Sequence, residues 1–244
     1  MFNIQNVTFV IRVILKLPSL FYSLYFKKTR KEKVFIVSNN KCGTTTLKHH
    51  FKKNKFNVAP QWLFEVIFYN LYYKKKNIFF PIFNYLISKY DCFQDVPFQN
   101  LKIVNYLIKK YPDSLFIQIT RGGESWYKSL MNHQKIELLN RNLVNANDDL
   151  SALKKATKKM YYRFVTQEFI ITKTFNISNE LIYDRETFIS KHQKLQENIQ
   201  KSLKEKNKII IKIEDLNEKF PDEIKRYFDL PHNTIQTKNK RSQN

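Results

Sequence analysis

The sequence predicts a three-layer α/β domain: a central parallel sheet flanked by helices, with a helical extension at the N-terminus. Three observations carry this. Short apolar, β-branched runs at 34–38, 115–120 and 208–213 alternate with longer segments of helical character, and strands separated by helices pair in parallel. With 43% hydrophobic and 26% charged residues, the chain has a globular balance, which excludes full disorder. Its 244 residues suit one domain and an extension. The expected division is an amphipathic extension at 1–30, the main domain at 31–231 and a polar, basic tail at 232–244.

In chain order, the extension comes first. Between Val7 and Phe26 the polar positions are Thr8, Arg12, Lys16, Ser19 and Ser23, and Lys27 follows. Steps of three and four place them on one stripe of a helix, which Pro18 interrupts or kinks. No basic run precedes the apolar stretch and no small-residue cleavage site follows, which speaks against a signal peptide. Three placements stay open: packing on the protein's own domain, an in-plane membrane helix over 7–27, or a span that would have to bury Arg12 and Lys16 in lipid. Lys27, Lys28, Arg30, Lys31 and Lys33 form a basic collar that keeps the main domain on the cytoplasmic side.

The strand at 34–38 is followed by a helix at 45–53, where Leu47 and Phe51 lie four apart among lysines. Residues 61–90 are aromatic-rich and helical, with a break expected near Pro81; they line a cleft or form core. Helices are expected at 101–110, 124–140, 150–169 and 186–206. The strand at 208–213 leads to a last short helix at 222–228.

Charge and cysteine bound the function. The net charge of +22 predicts attraction for an anionic ligand, substrate or membrane, although a lysine-rich composition also yields a merely solvated basic surface. Two distant cysteines, Cys42 and Cys92, exclude a disulfide scaffold and a cysteine-pair zinc site, and no metal is expected. A basic nucleic-acid-binding protein is one alternative, but no nucleic-acid module is recognisable and no nucleic-acid partner is expected.

Glycine is scarce: three residues, against about 17 at an average share. Gly43, Gly122 and Gly123 all fall in turns from an expected strand into an expected helix. Ligands of parallel sheets bind beyond the carboxyl ends of the strands, and glycine lets the backbone approach them. The first turn runs Asn40-Lys41-Cys42-Gly43-Thr44-Thr45-Thr46-Leu47, which brings helix-start amides, three hydroxyls and an ammonium together as an anion site. It lacks the Gly-Lys-Ser/Thr ending of a Walker A loop, which disfavours the other alternative, a P-loop nucleotide kinase.

These residues resemble the sulfotransferases that use 3′-phosphoadenosine-5′-phosphosulfate (PAPS). Lys41 to Leu47 is similar to their 5′-phosphosulfate loop, Pro-Lys-x-Gly-Thr-Thr/Ser-x-Leu. Arg121 and Ser129, eight apart after the strand at 115–120, are similar to their 3′-phosphate element. Tyr111-Pro112-Asp113, Glu124-Ser125-Trp126-Tyr127 and the segment from Ile211 to Leu216, with a following helix that ends Phe228-Asp229-Leu230-Pro231, extend the likeness over roughly 33–231. Four positions depart from the pattern: Asn40 replaces a proline, Thr46 replaces an aromatic residue, and Gly122-Gly123 replaces Asp/Asn-Pro.

The resemblance implies a P-loop-like sulfotransferase fold, PAPS as donor and a hydroxyl acceptor, with a saccharide or other cell-surface precursor as the acceptor class. Lys41, Cys42, Gly43, Thr44, Thr45, Thr46, Arg121 and Ser129 would bind the donor, and Lys41 would also act catalytically at the bridging oxygen. Asp95 is the expected general base, because Asp95-Val96-Pro97 falls where related enzymes carry a His-x-Pro or an acidic residue; a helix cap near Leu101 or a turn is its structural alternative. His49, His50 and His133 are further candidates. His192 is expected on the surface, and Glu214 and Asp215 are expected to order the last helix.

Overall fold

The computed structural model describes residues 29–162, 165–203, 208–217 and 224. The helix expected over 7–26, the last helix at 222–228 and the tail from 232 lie outside the described residues, apart from Ile224. In order, the elements are β1 (Val34–Ile36), α1 (Thr44–Lys53), α2 (Gln61–Ile67), a π-helical turn (Phe68–Tyr72), α3 (Lys76–Ser88), β2 (Cys92–Phe93), α4 (Leu101–Lys110) and β3 (Leu115–Thr120). Then come α5 (Gly123–Leu139), α6 (Leu150–Lys159), β4 (Tyr161–Tyr162), β5 (Val165–Thr166), α7 (Gln167–Phe175), a 3-10 turn (Asn179–Leu181), α8 (Arg185–Ser202), β6 (Lys208–Lys212) and a 3-10 turn (Ile213–Asn217). The architecture is α/β, with a parallel four-stranded sheet flanked by helices.

The chain divides into two compact units. One comprises Thr29–Ala59, Tyr90–Arg121 and the segment from Gln196, and it holds the sheet. Strand order is β2-β1-β3-β6, every neighbour parallel. From β1 the chain moves to β2 on one side; β3 and β6 add on the other. The order therefore reverses between β1 and β3, where a parallel sheet opens a crevice beyond its carboxyl ends. Val34 to Val37 is fully buried, as is most of β3, which is why both strands read as continuous apolar runs rather than alternating ones.

Register is reinforced by rings. Phe35 pairs with Phe93 and with Phe116 across the two ladders, and its ring stacks on theirs at 5.1 and 5.3 Å; Phe98 lies on the same cluster at 6.0 Å. Beyond the printed end of β1 the pairing continues through Val37 N–H, which donates to Ile117 O at 2.8 Å, and through Ser38 Oγ, which accepts from Ile119 N–H at 2.5 Å. β2 has only two residues, too few to show a period, and the sequence reading missed it.

The other unit, over its described residues, comprises Pro60–Lys89 and Gly122–Leu195. Its break between α2 and α3 falls at 73–75, not at Pro81. Folding back there lets Tyr72 meet Phe79 edge-on at 5.1 Å and Phe68 meet it at 6.1 Å. Pro81 sits inside α3 on the exposed side, where water can satisfy the carbonyl that loses its N–H partner. Phe64, Phe68, Tyr69, Tyr72, Phe79 and Phe83 are buried, so the aromatic stretch builds core.

The helix expected over 150–169 is interrupted as well. α6 begins at its Asp149 cap and stops at Lys159; Tyr161, Tyr162, Val165 and Thr166 form an antiparallel ribbon, and Thr166 Oγ1 caps α7. Aromatic and β-branched residues favour the pleated ribbon at that point. His192 corrects another expectation: it is fully buried on α8, its ring stacked on Trp126 at 4.1 Å and 3°. The neighbouring lysines marked the helix as exposed, but a helix face is set by spacing, and His192 lies four residues after the buried Phe188.

Candidate functional site

The loop between β1 and α1 is built around two left-handed residues, Lys41 (φ 68°) and Gly43 (φ 86°). Glycine accepts this region freely; a lysine there costs about 1–2 kcal/mol. A Cβ at Gly43 would also stand 3.0 Å from Leu216 Cδ1. Gly43 is the N-cap of α1 and brings no side-chain oxygen to the leading amides. Thr46 N–H donates to Gly43 O at 3.0 Å, while the amides of Thr44 and Thr45 stand where an α-helix offers no acceptor of its own. Thr45 is exposed and Thr46 half-buried, so both hydroxyls stand at the helix start. An anion fits this cradle, and its charge is favoured by the helix dipole.

The second glycine turn divides differently. Gly122 has φ −59° and ψ 138° at the N-cap of α5, with only Ser125 Oγ, at 3.8 Å, near its imaginary Cβ. Gly123 would place a Cβ 2.6 Å from Ile189 Cγ2, so it is small in order to let α5 meet α8. Its role is helix packing, and the expectation that both turns use glycine to cradle phosphate narrows to Gly43.

Arg121, directly after β3, donates from Nη1 to Lys41 O at 2.6 Å. Its own backbone is clamped by one side chain: Gln196 Oε1 accepts from Arg121 N–H at 2.9 Å and Gln196 Nε2 donates to Arg121 O at 3.2 Å. Gln196 is held in turn, because the buried Gln118 donates from Nε2 to its carbonyl at 2.9 Å. The sequence reading missed Gln196, which lies 75 residues from Arg121.

Asp95 follows β2, is 5% exposed and takes a left-handed φ of 58°. Thr44 Oγ1 donates to its Oδ1 at 2.7 Å. Thr44 is thus buried and turned toward Asp95, leaving Thr45 and Thr46 as the outward hydroxyls. The alternative of a helix cap does not hold: Asn100 caps α4, accepting from Lys102 and Ile103 N–H. Cys42 is fully buried, and burial pushes its thiol up to about 12, with Arg121 drawing it down and Asp95 pushing it further up. Its side chain packs, so only its backbone can serve a ligand.

The structure therefore gathers Lys41, Cys42, Gly43, Thr44, Asp95 and Arg121 in one unit at the sheet's carboxyl edge. Ser129 belongs to the other unit, half-buried on α5. His50 is buried, because it shares the inner face of α1 with Leu47 and Phe51; His49 is exposed and His133 half-buried. Glu214 and Asp215 are exposed in the 3-10 turn after β6. Gln94 is a position that no motif flags: it is buried beside Asp95, and neither atom of its carboxamide has a hydrogen-bond partner among the described residues. Among the described residues no group of three or more His, Cys, Asp or Glu could hold a metal.

A family model described as the sulfotransferase domain matches residues 33–218, well over half of the chain. The chain belongs to the sulfotransferase family. Among curated proteins no relative matches it. As a sulfotransferase it is a transferase, with a small-molecule sulfuryl donor and a hydroxyl acceptor as the partners of its reaction. The matched span contains both glycine turns, Asp95 and Gln196.

Proposed function

We propose that this sulfotransferase moves the sulfuryl group of PAPS to a hydroxyl of a saccharide or other cell-surface precursor. One contact carries the reading: the 2.7 Å hydrogen bond from Thr44 to Asp95 joins the donor loop to a carboxylate, so an activated sulfur and a proton acceptor can share one place. The same loop receives Arg121 through the Lys41 carbonyl.

Bound PAPS supplies a sulfuryl group already attached to a good leaving group. Arg121 pairs with the 3′-phosphate through its guanidinium fork, with Ser129 assigned to the same phosphate by its spacing alone. The Thr44 and Thr45 amides, the Thr45 and Thr46 hydroxyls and the loop backbone of Cys42 and Gly43 hold the 5′-phosphosulfate. Lys41 places its ammonium at the bridging oxygen, where negative charge grows as the S–O bond breaks. A new S–O bond forms to the acceptor oxygen, the acceptor proton passes to Asp95, and adenosine 3′,5′-bisphosphate leaves. Thr44 fixes one carboxylate oxygen and so orients the base. Gln94, with a donor and an acceptor unsatisfied, suits a second hydroxyl of a polyol acceptor. The basic residues from Lys27 to Lys33 lead us to assign the catalytic domain to the cytoplasmic side, with 7–27 at the membrane surface.

Calorimetric titration with adenosine 3′,5′-bisphosphate, at about 50 μM protein, within the usual micromolar range, tests the donor. Saturable binding to the wild type that Arg121→Ala abolishes is expected; no heat from the wild type overturns the reading. For the base, Asp95→Asn should keep bisphosphate binding yet release the product from PAPS about 10²–10⁴ times more slowly across a panel of saccharide acceptors. Near-normal turnover would remove Asp95 from the chemistry.

A further inference from the structure

Seven large hydrophobic side chains are exposed among the described residues, and three of them lie on α3: Ile78 at 42%, Ile82 at 36% and Tyr85 at 49%. Steps of four and three align them on one face, and Pro81 is exposed beside them. The opposite face carries Phe79, Phe83, Leu86 and Ile87 into the core. α3 is thus apolar on both sides, although only one side is covered.

Cations frame the open side. Lys74, Lys75 and Lys76 are exposed at its N-terminal end. At the other end Lys89 sets its ammonium 5.1 Å from the centre of the Tyr85 ring. Lys173 adds a further positive charge near the N-terminal end, since Tyr73 touches Phe169 and donates to Lys173 O. From Val66 to Tyr90 there is no Asp or Glu. An aliphatic ridge with a tyrosine, clamped between lysines on a segment that carries no acid, has the anatomy of a helix that lies in the plane of an anionic interface. At 13 residues α3 is too short to cross a bilayer, and no described helix is long and apolar enough to do so.

We propose that the exposed face of α3 docks on an anionic lipid surface. Ile78, Ile82 and Tyr85 enter the headgroup region, and Lys74, Lys75, Lys76 and Lys89 meet lipid phosphates. Charge complementarity selects this occupant. A second copy of the chain paired through a two-fold axis would bring the same lysines face to face, and their repulsion opposes it. The inference is separate from the donor site and from residues 7–27.

The test is flotation of the full chain with vesicles of phosphatidylcholine containing about 30% phosphatidylserine, at about 0.15 M salt, against pure phosphatidylcholine. The wild type should bind the anionic vesicles and not the neutral ones. Two triple variants, Ile78→Ser/Ile82→Ser/Tyr85→Ser and Lys74→Gln/Lys75→Gln/Lys76→Gln, should each bind more than tenfold more weakly while keeping the wild-type circular dichroism and thermal midpoint. The lysine variant removes only exposed charges, so it keeps the test decisive if the apolar variant fails to fold. Undiminished binding of the lysine variant overturns the proposal, because the N-terminal segment would then account for all of it. So does equal binding to neutral vesicles, no binding by the wild type, or a dimer in sedimentation that the apolar substitutions dissolve.

Discussion

The residues that shape the loop act through backbone as much as through side chains. Lys41 and Asp95, the two proposed to do chemistry, are both held at positive φ, a conformation non-glycine residues adopt only when their surroundings over-determine it. Arg121 is fixed in the same manner, by the two-point grip of Gln196 on its N–H and C=O. Gln196 is therefore a positioning residue for the proposed 3′-phosphate site. Gln196→Leu should weaken adenosine 3′,5′-bisphosphate binding about tenfold in calorimetry, while loss of its two part-buried hydrogen bonds to Arg121 costs about 1–3 kcal/mol of stability. Gln196→Glu keeps the acceptor for Arg121 N–H and should recover part of the affinity; if both variants bind like the wild type, the clamp does not serve the ligand. Lys41, Gly43 and Arg121 were legible in the sequence because a short spacing next to a strand carries them. Gln196 was not, because its partner is distant in the chain and a glutamine on a lysine-rich helix has no pattern of its own. The burial of Thr44 was equally hidden: three successive threonines look alike until the helix phase decides which one turns inward.

At the scale of elements, strands with a continuous apolar run and well-phased helices were legible, and short or interrupted elements were not. β1, β3 and β6 show themselves as apolar runs, and α1, α4 and α5 as phased helices. The ribbon of β4 and β5 and the two-residue β2 are set by partners, and partners leave little mark on local composition. Gly123 is the clearest element-scale constraint, since a methyl there would stand 2.6 Å from Ile189. Gly123→Ala should destabilise by about 1–3 kcal/mol, the cost of overpacking a close contact. Ile189→Ala added to it should recover most of that loss, because Ile189 Cγ2 is the nearest obstacle and the next, Gln193 Nε2 at 3.4 Å, ends a flexible side chain. The pair is read by urea denaturation as a double-mutant cycle, and a purely additive result would show that the two helices do not meet through this contact.

The whole molecule responds to alkali through groups whose burial opposes ionisation. Burial lifts the Cys42 thiol from 9.0 to about 12 and the Tyr183 phenol from 10.0 to about 12, and it raises Cys92 as well. In each the folded state holds its proton more tightly than the unfolded chain does. Their contribution to stability is complete below the unfolded values, near 9 for the thiols and 10 for the phenol, and is lost as pH climbs toward 12, each unit of separation being worth about 1.4 kcal/mol. Lys33 has the opposite sign: burial lowers its value, so rising pH relieves the cost of its buried charge. Burial raises Tyr72, Tyr73, Tyr111 and Tyr127 as well, so among the described residues seven groups stand against one and decide the direction. The thermal midpoint should stay level to about pH 9 and then fall steadily to pH 11, with the slope reduced in Cys42→Ala. The same burial should keep Cys42 unreactive toward a thiol reagent at pH 8 until denaturant is added. A midpoint that holds or rises between pH 9 and 11 would mean that Lys33 outweighs the thiols and the phenols, and that the loop around Cys42 admits water.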